Sequence, residues 1–272
     1  MRHSYILYQL QTSAGNLGGS LDGHPYQPMN KDKDTIFSNP SYRAAPFEFN
    51  ETVVRVFDDM LHRSIPCYAE ILLRQTQLTA RYYQPGTRIY DLGCSHGNFG
   101  MKLLDEMAST DFEMIAVDSS RAMLDRYARR LKATGRTATA VHLVHDHMQR
   151  IDIQQASVVV INFTLQFVPP ADRQPLLQAV FDGLLPGGIL LLSEKVIHSA
   201  ASLNDLQQSF YYRFKAENGY SELEISRKRN ALENVLIPES IEQHIERLQQ
   251  TGFSTIDTWL KWFNFASLIC RK

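Results

Sequence analysis

From Arg88 to Lys195 the chain repeats one unit, a short continuous apolar run followed by a turn. The runs are "RIYDLG", "FEMIAVD", "ATAVHLVHD", "ASVVVINF" and "GILLLSEK". Amphipathic stretches stand among them: "NFGMKLLDEM", "SSRAMLDRYARRLKATG" and "ADRQPLLQAVFDGLLPGG". A strand that is apolar on both faces must be covered on both, and helices between successive strands are the crossovers a parallel sheet requires. The region is therefore read as an α/β, doubly wound, mostly parallel sheet.

Two helices precede the repeat. "FNETVVRVFDDMLHRSIP" has Asn50 as a cap and Val53, Val56, Phe57, Met60 and Leu61 at helical spacing, and "CYAEILLRQTQLTARYY" stops before Gln84-Pro85-Gly86. Beyond Lys195, residues 200–235 read as polar helix with a turn at Asn218-Gly219, and "PESIEQHIERLQQTG" as another helix. "FSTIDTWLKWF" and "FASLICRK" then form an antiparallel pair that brings the sheet to seven strands. Residues 1–30 are polar and glycine-rich, without the apolar core of a signal peptide, and Met29 is a second candidate start. They are read as a flexible extension, and 31–272 as one domain.

Lys and Arg total 28 against 29 Asp and Glu, so no basic surface for nucleic acid is expected. Three widely spaced cysteines, Cys67, Cys94 and Cys270, suit a reducing cytoplasm, and no run has the length of a membrane span.

Ligands of doubly wound sheets bind at the carboxyl ends of the strands. There the chain reads "YDLGCSHGNFG", with Ser95 where a dinucleotide loop would place a glycine to approach pyrophosphate. Gly93 permits close approach of a ligand without phosphate, and Cys94 and Ser95 are small enough to lie beside it. Asp118, 25 residues after Gly93, ends the second strand, Asp146 the third and Asn162 the fourth. Each alone is as readily a helix cap as a ligand group. Together, in this order after a glycine loop, they fit S-adenosylmethionine: Asp118 on the ribose, Asp146 on the adenine amine, Asn162 beneath the sulfonium. The architecture is that of class I methyltransferases, a Rossmann-like fold.

"VHLVHDHM" sets His142, His145 and His147 close together. In a strand His145 and His147 share one face and His142 the other, with no further ligand at metal spacing, so no metal is assigned. Cys94 has no local His–Asp pair and reads as a packing residue. "NFTLQFVPP" is not the Asn-Pro-Pro-Tyr arrangement of nucleobase amino-methyltransferases, which leaves a small-molecule substrate.

"KDTIFSNP", "RVFDDMLHRSIPCY", "YDLGCS", "NFTLQF", "LSEK", "NGYSELEISRKRNALENV" and "WFNFASL", in this order, resemble the carboxy-S-adenosylmethionine synthases. The resemblance implies a homodimer that uses prephenate to place a carboxyl group on the sulfonium methyl, releasing phenylpyruvate. The product would feed a separate enzyme that forms 5-oxyacetic acid on the wobble uridine of tRNA. It further implies cofactor contacts from Tyr68, Gly93, Cys94, Ser95, Asp118, Ser119, Asp146, His147, Asn162 and Arg229. Arg229 would be the catalytic cation for the new carboxylate, since a guanidinium binds carboxylate through two parallel bonds. The chain departs from the family at His96, Asn98 and Phe99, where smaller or aliphatic residues are usual, and at His147. An ordinary methyltransferase acting on a small acid, or a binder of a modified cofactor without catalysis, are the alternative readings.

Overall fold

The computed structural model describes residues 33–39, 47–135 and 140–272. The extension expected over residues 1–30 lies outside them. Helices α1 (Glu51–Ser64) and α2 (Tyr68–Tyr82) lead into β1 (Arg88–Leu92), α3 (Asn98–Glu106), β2 (Glu113–Asp118), α4 (Arg121–Ala133) and β3 (Val141–His145). Next come β4 (Ala156–Asn162), α5 (Pro170–Gly183), β5 (Leu184–Ile197), α6 (Ala201–Glu217) and α7 (Glu222–Leu232). The two-residue β6 (Glu239–Ser240), α8 (Ile241–Thr251), β7 (Thr255–Trp262) and β8 (Phe265–Arg271) complete the chain.

The strand order is β3-β2-β1-β4-β5-β8-β7, parallel from β3 to β5, with β6 pairing alongside β5. β8 is antiparallel to both neighbours, with Glu194 opposite Ala266 and Lys195 opposite Phe265. The doubly wound sheet with its terminal antiparallel pair is thus present. The order reverses between β1 and β4, the switch point at which such sheets open a crevice.

Alternate residues of each strand feed two cores. Ile89, Met114, Val158 and Ile189 pack with Leu72 of α2, Leu103 of α3 and Tyr127 of α4. Tyr90, Val159, Leu190 and Leu268 pack with Leu177 of α5 and Leu248 of α8. A third cluster joins Phe57 and Met60 of α1 to Phe37, Met123 and Ala231. Asn50 caps α1 as expected, accepting from the N–H groups of Thr52 and Val53. Ser120 caps α4 through the Met123 N–H, and Gly219 makes the α6–α7 turn at φ 82°.

Three differences from the sequence reading are local. β5 begins at Leu184 rather than near Gly188, because Leu184 already pairs with Ala156. β6 is too short to leave a periodic signal. His147 does not share a strand face with His145: β3 ends at His145, and Asp146 Oδ1 takes the His147 N–H at 2.7 Å, turning the chain out of the sheet.

Candidate functional site

The switch point opens a cavity of about 290 Å³ over the carboxyl ends of the strands, walled by α1, α2 and the segment after β4. Tyr68, Gly93, Cys94, Ser95, Asp118, Ser119, Asp146, His147 and Asn162 all line it. Arg229 does not. It is exposed on α7, its Nε 3.4 Å from Asn230 Oδ1, and the preceding residue, Lys228, lines the cavity instead.

The loop after β1 is shaped for close approach. Gly93 sits at φ 85°, and a Cβ there would lie 2.3 Å from Thr164 Cγ2. Ser95 holds φ 52°, so it adopts the left-handed backbone that a glycine would otherwise supply. Thr164 cannot retreat freely, because Glu194 accepts from the N–H groups of Thr164 and Leu165 through Oε1 and of Gln166 through Oε2.

Asp118 accepts from the N–H of Ser95 at 2.8 Å and of Ser120 at 2.8 Å, one on each carboxylate oxygen. Burial pushes its pKa up against these two bonds. Each oxygen retains a lone pair for a ribose hydroxyl. Asp91 lies at the root of the loop, buried, with no partner for Oδ2. Burial and the neighbouring Asp118 charge push its carboxyl up to about 8. A buried carboxyl with an orphaned oxygen beside a glycine cradle fits a cationic ligand, such as the amino acid end of S-adenosylmethionine.

The unusual loop residues are tied down by α1 and α4. Asp58 Oδ1 stands 2.9 Å from His96 Nε2 and accepts from Asn98 Nδ2 at 2.8 Å. Asn98 Nδ2 also reaches the Tyr68 hydroxyl at 3.2 Å. Arg130 Nη1 donates to the His96 carbonyl and to Asn98 Oδ1. Burial pushes the Asp58 carboxyl up, but His96, Asn98 and Arg130 outweigh it and hold it well below the usual carboxylate range. The added polarity of His96 and Asn98 is therefore spent on fixing the loop to Asp58.

Asn162 is gripped by α2: Gln75 and Asn162 exchange amide bonds, and Gln75 Nε2 also donates to Ser193 Oγ at 3.0 Å. Phe163 follows at φ 55°, a strained position for an aromatic residue, and turns its ring into the cavity. Phe163, Tyr211 and Phe265 also line the cavity, with Lys195 beside the Tyr211 ring, and Lys228 reaches it next to Ser64. Asp91, Gln75, Lys195 and Lys228 were not singled out from the sequence.

His142 and His145 face apart, the first 3.9 Å from Glu113 Oε1 and the second 3.1 Å from the Ser119 carbonyl. Among the described residues no three His, Cys, Asp or Glu side chains are placed to hold a metal ion, and no helix is long and apolar enough to cross a membrane. Cys94 is buried, and burial first, then the charges of Asp91 and Asp118, push its thiol well up, which disfavours the nucleophilic thiolate.

A sheet of this order, with a glycine loop after β1 and an acid closing β2, defines a class I S-adenosylmethionine-dependent methyltransferase fold. Residues 89–188 match the methyltransferase domain family. Two solved structures show the same fold at low identity. Human N-acetylserotonin methyltransferase in complex with S-adenosylmethionine has TM-score 0.55 and 10% identity, covering 82% of this chain and 55% of that one. The S-adenosylmethionine-dependent methyltransferase SibL has TM-score 0.57 and 13% identity, covering 87% and 60%.

Within that class the relatives are specific. The carboxy-S-adenosyl-L-methionine synthase of Desulforapulum autotrophicum is 49% identical over 240 residues, 88% of this chain and 97% of that protein. That of Trichlorobacter lovleyi is 45% identical over 244 residues, 90% and 100%. The chain belongs to the carboxy-S-adenosyl-L-methionine synthase family.

Proposed function

We propose that the protein is a cytoplasmic homodimer that converts S-adenosylmethionine and prephenate to carboxy-S-adenosylmethionine and phenylpyruvate, for modification of tRNA wobble uridine by another enzyme. The observation that carries the reading is the continuation of the cavity past Asn162 into an aromatic chamber. Methyl transfer needs only an acceptor at that point, whereas capture of carbon dioxide needs a place from which it does not escape.

The chemistry balances without a metal or added base. The ring carbon–carboxylate bond of prephenate breaks to give carbon dioxide, and its electron pair aromatises the ring and expels hydroxide. Hydroxide takes one proton from the sulfonium methyl, forming water, and the freed carbon pair bonds to carbon dioxide. The cation and the dianion become a neutral sulfonium carboxylate and the phenylpyruvate anion.

The chain's own residues set the geometry. Asp118 holds the ribose, Asp146 and His147 the adenine, and Asp91 with the Gly93-Cys94-Ser95 loop the amino acid end. Asn162, fixed by Gln75, sets the height of the sulfonium above the sheet, and Tyr68, Phe163 and Phe265 exclude water. For Arg229 the reading requires the dimer. From its exposed place on α7 the guanidinium serves the new carboxylate in the cavity of a second copy. The test is mass analysis of the nucleoside formed from S-adenosylmethionine with and without prephenate. A prephenate-dependent product heavier by one carbon dioxide supports the reading, and methylated acid with demethylated cofactor overturns it.

A further inference from the structure

The strand order divides the cavity. Asp146 follows β3, and Lys195 stands on β5, four strands across the sheet. At about 4.8 Å per strand that separation is roughly 19 Å. The groups that suit the nucleoside span β3 to β4, ending at Asn162. Lys195 is one strand further, in space those groups do not use.

That space is rich in cations. Lys195 Nζ lies 5.1 Å from the Tyr211 ring, and Lys215 Nζ 5.3 Å from the same ring. Lys215 and Lys228 then flank Tyr220, at 5.5 Å and 5.2 Å. Lys228 Nζ donates to Ser64 Oγ at 2.9 Å and stands 3.8 Å from Asp34, whose Oδ2 also takes the Tyr220 hydroxyl at 2.6 Å. The nearby Arg63 is already paired with Asp59. Among the described residues no carboxylate lies within ion-pairing distance of Lys195 or Lys215. Burial, then the charges of Lys228 and Lys195, push Lys215 down to about 6, and burial lowers Lys195 as well. Buried amines gathered around one carboxylate, two of them pushed towards the neutral form, would be recharged by an added anion.

We propose that Lys195 and Lys228 anchor the donor acid by the carboxylate of its pyruvyl side chain, in the chamber beyond Asn162. The assignment rests on the reading of the donor as prephenate, and it separates that molecule's two carboxylates. One leaves as carbon dioxide, and an ammonium bound to it would stabilise the charge that must be lost, raising the barrier. The other is unchanged from substrate to phenylpyruvate, so a cation fixed on it holds ground state and transition state alike. Lys195 and Lys228 are thus positioning groups for the surviving carboxylate, and the departing one faces the sulfonium.

The test uses the full chain with Lys195→Met, Lys195→Arg and Lys228→Met. Uniform binding predicts a rise in KM for prephenate of roughly tenfold to a hundredfold for Lys195→Met, with kcat falling far less. Phenylpyruvate, which keeps the anchored carboxylate, should lose affinity by the same factor in calorimetry. Affinity for S-adenosylmethionine should stay within twofold, which also shows that the variants fold. Lys195→Arg should recover part of the loss. Unchanged phenylpyruvate affinity in both Met variants, or an equal loss of S-adenosylmethionine affinity, overturns the assignment. A wild type that binds phenylpyruvate at these lysines without turning over prephenate would sink the proposed function and leave the subsite standing.

Discussion

The side-chain amides of Gln75 and Asn162 bond to each other in both directions, Nε2 to Oδ1 and Nδ2 to Oε1, each at 2.8 Å. The pair locks α2 to the end of β4 and leaves Asn162 one orientation. Gln75 is fully buried and continues the chain of bonds to Ser193, which meets Ser267 at 2.8 Å. Gln75→Leu keeps most of the volume but strands the donor and the acceptor of the Asn162 amide, while Ser193 keeps Ser267. Each stranded group costs about 1–3 kcal/mol, so chemical denaturation should show a loss in that range or somewhat above. Affinity for S-adenosylmethionine should fall with it, as Asn162 becomes free to rotate.

Gly93→Ala should abolish S-adenosylmethionine binding without unfolding the protein. The new methyl would meet Thr164 at 2.3 Å, and Glu194 holds that segment in place. Calorimetry should show no heat at concentrations that saturate the wild type, with the circular dichroism spectrum intact.

Asp91 gives the affinity a pH dependence. Its carboxyl, raised to about 8, is largely protonated at neutral pH and must ionise to receive a cation. Affinity for S-adenosylmethionine should therefore increase from pH 6 to pH 8 and level off above, with proton release on binding near pH 7. Asp91→Asn should flatten this profile. An equally steep profile in the variant would assign the proton elsewhere.

Two inactive variants should complement each other if Arg229 serves a second copy. Asp118→Ala should lose roughly 1.5–3 kcal/mol of affinity for each ribose bond, and Arg229→Ala should fail to hold the carboxylated product. After mixing and subunit exchange, a mixed dimer has one site with both residues intact. Activity above the sum of the separate variants is expected. Its absence, with exchange verified, would return Arg229 to a solvated helix face.

Acid should unlock the junction of β6, α5 and α8. Glu239 pairs with Arg173 at 2.7 Å and, bidentately, with Arg247. Burial pushes its carboxyl up, but the two guanidiniums prevail and hold it down to about 2. A folded pKa below the unfolded one contributes stability that is complete above the ordinary carboxylate range and is lost as pH falls from about 4.5 towards 2. Glu239→Gln should remove this dependence and cost about 3 kcal/mol or more at pH 7, because Arg173 is fully buried.

The sheet and the cavity lining at the ends of β1 to β4 were legible because both follow from periodicity. Apolar runs with turn residues define strand ends, and Gly93, Asp118, Asp146 and Asn162, which spacing puts at those ends, all line the cavity. The chamber was not legible, for two physical reasons. Lys195 follows the apolar run of β5, where a lysine ordinarily marks the passage into solvent. In "SRKR" each residue turns the helix by a hundred degrees, so burial of Lys228 or of Arg229 depends on the rotation of α7. That helix lacks an apolar stripe to fix its rotation from sequence; Ser64 and Asp34, far away in the chain, settle it together with the nearby Tyr220 ring. Asp91 carried a signal, an acid two residues before the loop glycine, that strand periodicity alone did not single out.

The pairing of β5 with β8 decides the sign of the charge in the chamber. Successive residues of a strand point to opposite faces, so Lys195 enters the chamber while Glu194, one step earlier, turns to the other side and ties down the loop at Thr164. A slip of one residue in one direction would bring Glu194 to the place of Lys195, a carboxylate where an anion must bind, and in the other would set the Lys195 ammonium against three N–H donors. An insertion of a single residue between Ile189 and Glu194 would thus be a change of polarity as much as of packing, and no repacking of the aromatic walls would correct it.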